Sequence, residues 1–186
     1  MHIQKILDLP LVKRDIIAAQ KFKIAVDAVN SVGGIAVPAL LRALGVEAIE
    51  EINCEPNGHF AHNPEPLPEH LGQIASAVKS AKCDLGIVVD PDVDRLALIC
   101  EDTEMFGEEY TLVAVADYYL KHTPGPTVSN LSSTRALRDI TEKAGQQYEA
   151  SAVGEVNVVE LMKKNNAIIG GEGNGGIIYP ESHYGR

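Results

Sequence analysis

Short apolar runs that stop at a polar residue, with helically spaced stretches between them, recur from Phe22 to the end of the chain. The clearest is Leu85-Gly86-Ile87-Val88-Val89, closed by Asp90. A strand with no polar alternation is covered on both faces, and parallel neighbours need a crossover of helix length to join them. The pattern therefore holds the chain to an α/β layer architecture with mostly parallel sheets. It predicts strands over Phe22–Asp27, Glu47–Asn53, Leu85–Val89, Arg95–Cys100, Thr127–Leu131, Tyr148–Val153 and Ala167–Gly170. Helices are predicted over 33–44, 69–80, 108–121 and 156–164, with a further one capped by Ser133 or Thr134 and running to about Ala144. Residues 1–20 read as a lead-in of two short amphipathic helices broken at Pro10.

The elements fall into two sets of similar size, so two consecutive α/β domains are expected, over 21–104 and 105–186. The chain stops at His183-Tyr184-Gly185-Arg186 with no closing helix, and the expectation is a piece of something longer. Apolar residues make up 45% and charged residues 23% of the 186, which excludes disordered and low-complexity classes. With 16 basic against 26 acidic residues, the net charge of −10 disfavours binding to a nucleic-acid backbone. Three cysteines (Cys54, Cys83, Cys100) without a CxxC pair argue against a disulfide scaffold and for a reducing cytoplasm. The N-terminus lacks the apolar core of a signal peptide, and no run approaches the roughly 20 apolar residues that a membrane span needs.

Chemistry concentrates in Val88-Val89-Asp90-Pro91-Asp92-Val93-Asp94-Arg95. Three carboxylates at alternating positions repel one another unless a cation sits among them, and an all-oxygen set suits Mg²⁺ or Ca²⁺. Ligand sites in α/β proteins lie at the carboxyl ends of strands, where this segment falls, although an acidic turn is the bland alternative. The spacing of Asp90, Asp92, Asp94 and Glu101 fits a calcium EF-hand, but Arg95 occupies the obligatory glycine position and the flanks read as strands. Asp90-Pro91-Asp92-Val93 also resembles the motif of haloacid-dehalogenase-type phosphatases, with Asp90 as nucleophile and Asp92 as acid/base. That motif belongs on an early strand, and it leaves Asp94 and Arg95 without a role.

All four polar residues are accommodated by another resemblance. Asp90-x-Asp92-x-Asp94-Arg95 is similar to the metal loop of the α-D-phosphohexomutases, the phosphoglucomutase and phosphomannomutase family. Four further segments resemble that family in order: Val26-Asp27-Ala28-Val29-Asn30 with Gly33-Gly34, Glu55 to Pro66, Val153 to Val158, and Gly170-Gly171-Glu172-Gly173-Asn174-Gly175-Gly176. The resemblance implies domains 2 and 3 of a four-domain enzyme, each a mixed, mostly parallel sheet flanked by helices. It implies Mg²⁺ on Asp90, Asp92 and Asp94, phosphate contact by Arg95, and sugar contact by Glu172 and Asn174. It also implies transfer of a phosphoryl group between a phosphoserine on the missing domain 1 and a hexose phosphate, through a hexose bisphosphate, with domain 4 clamping phosphate. On that reading the piece alone is inactive, and non-catalytic metal or sugar-phosphate binding is the non-enzymatic alternative.

The glycine-rich form of the sugar loop has Asn174 and Gly176 where a serine and a histidine are commoner, which leaves glucose, mannose and glucosamine phosphates open. Ala61-His62-Asn63-Pro64 resembles the family's nucleophile loop, but Ala61 has no hydroxyl, so His62 is expected to be structural. Gly33-Gly34 is expected to serve a tight turn rather than an anion cradle, and Ser132-Ser133-Thr134-Arg135 a helix cap rather than a catalytic serine.

Overall fold

A computed structural model describes residues 2–185. They form two compact units. The first runs to Val93 and takes in Ala97–Phe106; the second comprises Asp94–Leu96 and the chain from Gly107 onward.

In the first unit two short helices, α1 (His2–Leu7) and α2 (Arg14–Gln20), precede β1 (Lys23–Asp27), α3 (Gly33–Ala43), β2 (Ala48–Ile52), α4 (Gly72–Ala81), β3 (Leu85–Val89) and β4 (Leu96–Cys100). The sheet order is β2-β1-β3-β4, with β1 parallel to both β2 and β3. Successive side chains of a strand leave opposite faces, and β1 shows this directly. Ile24 and Val26 join Leu41 of α3 and Val46 on one face, whereas Ala25 joins Ile74 and Val78 of α4 on the other. With both faces covered, the strands need no polar alternation. Gly34 explains how α3 comes so close: a Cβ there would lie 2.2 Å from the Cys54 carbonyl oxygen. The glycine pair serves close packing in the first turn of α3.

The second unit comprises α5 (Glu108–Leu120), β5 (Thr127–Asn130), α6 (Ala136–Lys143), β6 (Tyr148–Ser151), α7 (Glu155–Asn165), β7 (Ile169–Gly171) and β8 (Ile177–Ile178). Its sheet order is β6-β5-β7-β8, with β5 parallel to β6 and β7 and β8 antiparallel to β7. Val128, Val158 and Met162 fill one face, and Leu112, Ala116, Leu137 and Ile169 the other. Both units are thus α/β layers with mostly parallel four-stranded sheets flanked by helices. No helix among the described residues is long and apolar enough to cross a membrane.

Candidate functional site

Strand β3 ends buried at Val89, and Asp90 follows with 7% of its surface exposed. The chain turns at once, with the Val93 N–H donating to the Asp90 carbonyl at 3.1 Å. Val93 takes φ +63°, a left-handed conformation that is costly for a β-branched residue. Ligand oxygens of Asp90, Asp92 and Asp94 come within 4.8 Å of one another, and among the described residues this is the one group of three such side chains close enough to hold a metal ion. Arg95 Nε lies 3.9 Å from Asp94 Oδ1. Three carboxylates this close repel one another, a repulsion that a cation among them relieves, and an oxygen-only set fits a hard divalent cation. The residues present fit Mg²⁺. The flanking elements are β3 and β4, not the helices of an EF-hand.

The second cluster belongs to the second unit. Glu172 directly follows β7 and is buried, with 6% exposed. Its Oε1 accepts from Asn130 Nδ2 at 2.7 Å and from the Gly154 backbone N–H at 3.2 Å. The Glu172 N–H in turn donates to the Gly176 carbonyl at 3.0 Å. The glycines have a steric reason: a Cβ on Gly171 would sit 2.2 Å from Gly176 O. Gly175 takes φ +84°, which glycine adopts without strain. Asn174 Oδ1 accepts the Gly176 N–H at 3.1 Å and so braces the turn. A cavity of about 200 Å³ opens here, lined by Glu109, Asn130, Ser132, Val153, Glu172, Gly173 and Asn174. Carboxylate and amide groups around such a cavity can accept from and donate to the hydroxyls of a small polyol.

The two cavity-lining residues expected from the sequence, Glu172 and Asn174, are joined by Glu109 and Asn130, which sequence reasoning missed, and by Ser132, which it read as part of a helix cap. The expected strand runs to Leu131, whereas β5 ends at Asn130 and so puts that residue at the carboxyl end where α/β sheets take ligands. Glu109 stands in the first turn of α5 and accepts the Thr134 N–H through Oε2 at 2.9 Å, a pairing across 25 residues that no spacing announces. The N-cap of α6 is Arg135 and makes no side-chain cap bond; Thr134, one residue earlier, accepts the Ala136 N–H through Oγ1 at 3.3 Å. Arg135 points outward with its side chain 81% exposed, beside Asp139.

His62 has a structural tie. Its Nδ1 faces the Asn63 carbonyl at 2.8 Å and its Nε2 the buried Asp27 carboxylate at 3.2 Å. Asp27 also accepts from the Val29 N–H and Asn53 Nδ2, so it pins the 59–63 segment to the carboxyl end of β1.

Comparison with known proteins gives this geometry its context. Residues 1–104 match the family model described as phosphoglucomutase/phosphomannomutase, alpha/beta/alpha domain II, and residues 107–186 match domain III. The chain belongs to the phosphoglucomutase/phosphomannomutase family. A phosphoglucomutase/phosphomannomutase of Thermococcus kodakarensis is 36% identical over 88% of this chain and 36% of its own length. A "Probable phosphoglucosamine mutase" of Methanopyrus kandleri is 31% identical over 98% of this chain and 40% of its own. The crystal structure of a Burkholderia thailandensis family member superposes with a TM-score of 0.80 at 26% identity, covering 94% of this chain and 39% of that one. The chain therefore spans 36–40% of the length of these curated relatives.

Proposed function

We propose that this chain supplies the metal-binding and sugar-binding parts of a Mg²⁺-dependent phosphohexomutase. The enzyme would move a phosphoryl group between the 1- and 6-positions of a hexose phosphate by way of an enzyme phosphoserine and a bisphosphate. The convergence of three carboxylates directly after β3 carries the reading. Asp90, Asp92 and Asp94 would hold the cation, which when bound neutralises phosphoryl oxygens as charge shifts during transfer. Arg95 extends its guanidinium beside them and pairs with phosphate oxygens, a geometry that its planar fork favours. Glu172 and Asn174 would receive sugar hydroxyls in the cavity after β7, with backbone glycines allowing close approach. In this reading Asp90 is a metal ligand rather than a nucleophile.

The test is turnover. The chain is placed between the flanking domains of the Thermococcus kodakarensis relative and assayed with the 1-phosphates of glucose, mannose and glucosamine. The expected outcome is Mg²⁺-dependent formation of a 6-phosphate from at least one of them, reduced about 100-fold or more by Asp92→Asn. Release of inorganic phosphate without isomerisation would replace the reading with a phosphatase one.

A further inference from the structure

The strand order places one crevice in each sheet where the chain changes direction. In the second unit β5 leads on to β6 on one side and β7 to β8 on the other, so the carboxyl ends of β5 and β7 flank the switch point where α/β sheets take ligands. Register pairs Ser129 with Gly171, which brings the next residues, Asn130 and Glu172, side by side over that crevice. Both are buried, at 2% and 6% exposed, and both line the cavity.

The orientation of the Asn130 amide follows from its partners. Its Oδ1 lies 3.2 Å from the Ser132 backbone N–H, which can only donate. The Ser132 and Ser133 hydroxyls add donors at 3.0 and 2.8 Å. The amide oxygen is therefore on the serine side, and the NH₂ group must face the Glu172 carboxylate. Gly154 approaches the same Oε1. One carboxylate oxygen is thus held by two donors from separate loops.

We infer that Asn130 is a positioning residue: its amide, oriented by Ser132 and Ser133, fixes the Glu172 carboxylate in the rotamer that receives a sugar's hydroxyls. This rests on the sugar-binding reading of Glu172 and adds a specific demand, that residue 130 donate as well as accept. A carboxylate at 130 could still accept from Ser132 and Ser133 and keep the turn, but it could not donate to Glu172 once ionised. At low pH a proton shared between the two carboxyl groups restores the bond; at high pH the pair repels. Glu109 is the other titratable group lining this cavity and is unchanged in the variants.

The experiment is a titration of the 186-residue chain with α-D-glucose 1-phosphate, following backbone amides of residues 170–176 by NMR, with inorganic phosphate as the reference ligand. Asn130→Asp is expected to bind about tenfold or more weakly than wild type at pH 8 and to approach wild type at pH 5. Each comparison is made at one pH, so the ligand's own titration cancels. Equal affinity of Asn130→Asp and wild type at both pH values would overturn the inference and leave Asn130 as a turn former. Should Asn130→Asp not fold, Asn130→Ala is expected to weaken binding about tenfold while Thr134→Ala, which removes a bond of the same turn without touching Asn130 or Glu172, does not; equal losses would overturn it. No response of the wild-type loop to glucose 1-phosphate would remove the sugar-binding reading itself, and the inference with it.

Discussion

At the residue scale the chain places unusual conformations where its polar contacts hold them. Val29 takes φ +48° while fully buried, and its N–H is committed to the Asp27 carboxylate at 3.0 Å. Neither feature was legible in the sequence, because a valine in a left-handed conformation reads as an ordinary apolar residue. The acidic loop was legible because three aspartates at alternating positions carry their own electrostatic argument. Glu172 was visible through its glycine-rich setting, but its partners, Asn130 and Gly154, lie 42 and 18 residues away in sequence. Cys54 gives a residue-scale prediction. Burial, reinforced by the charge of Glu51, pushes its thiol from an ordinary 9.0 up to about 11. The folded chain holds that proton more tightly than the unfolded one, so this group's contribution to stability is intact below pH 9 and falls as pH rises toward 11. Iodoacetamide is accordingly expected to label Cys54 far more slowly in the folded chain than in urea at pH 8, with the folded rate climbing between pH 9 and 11.

At the element scale nearly every strand and helix falls within a residue or two of where the apolar pattern puts it. The pattern works because each strand is sandwiched between helices, so burial and secondary structure give the same signal. The short β8, Ile177–Ile178, escapes that logic: two residues after a glycine-rich turn show no periodicity, and pairing with β7 alone makes them a strand. The same antiparallel pair makes β7 run Ile169–Gly171, a residue beyond the expected Gly170 end. Helix α4 also starts later than expected, at Gly72, because Pro68–His70 forms a separate 3₁₀ turn. Packing of α4 on β3 yields a test. A Cβ at Gly86 would meet Ile99 Cβ and Val78 Cγ2 at 3.0 Å and Ile74 Cδ1 at 3.2 Å. Gly86→Ala is therefore expected to destabilise the chain by about 1–3 kcal/mol in a denaturant titration, since overpacking forces the helix off the sheet.

At the scale of the whole molecule the two units repeat one plan after their leading helices, two in the first and one in the second: strand–helix–strand–helix–strand–strand, with sheet orders β2-β1-β3-β4 and β6-β5-β7-β8. The two candidate loops occupy equivalent places in it, Asp90–Arg95 after β3 and Glu172–Gly176 after β7. The repeat was only partly legible, since the halves share an order of elements without sharing residues. Equivalent places carry different groups: three clustered carboxylates in one, a braced carboxylate beside a cavity in the other. The account depends most on the first being a single divalent-cation site. The direct measurement is a Mg²⁺ titration of the 186-residue chain, read from the backbone amides by NMR, with Asp92→Asn beside it. The account predicts saturable shifts centred on Asp90–Arg95, with affinity reduced at least ~10-fold in the variant. Shifts scattered over the acidic surface, or unchanged in Asp92→Asn, would contradict it.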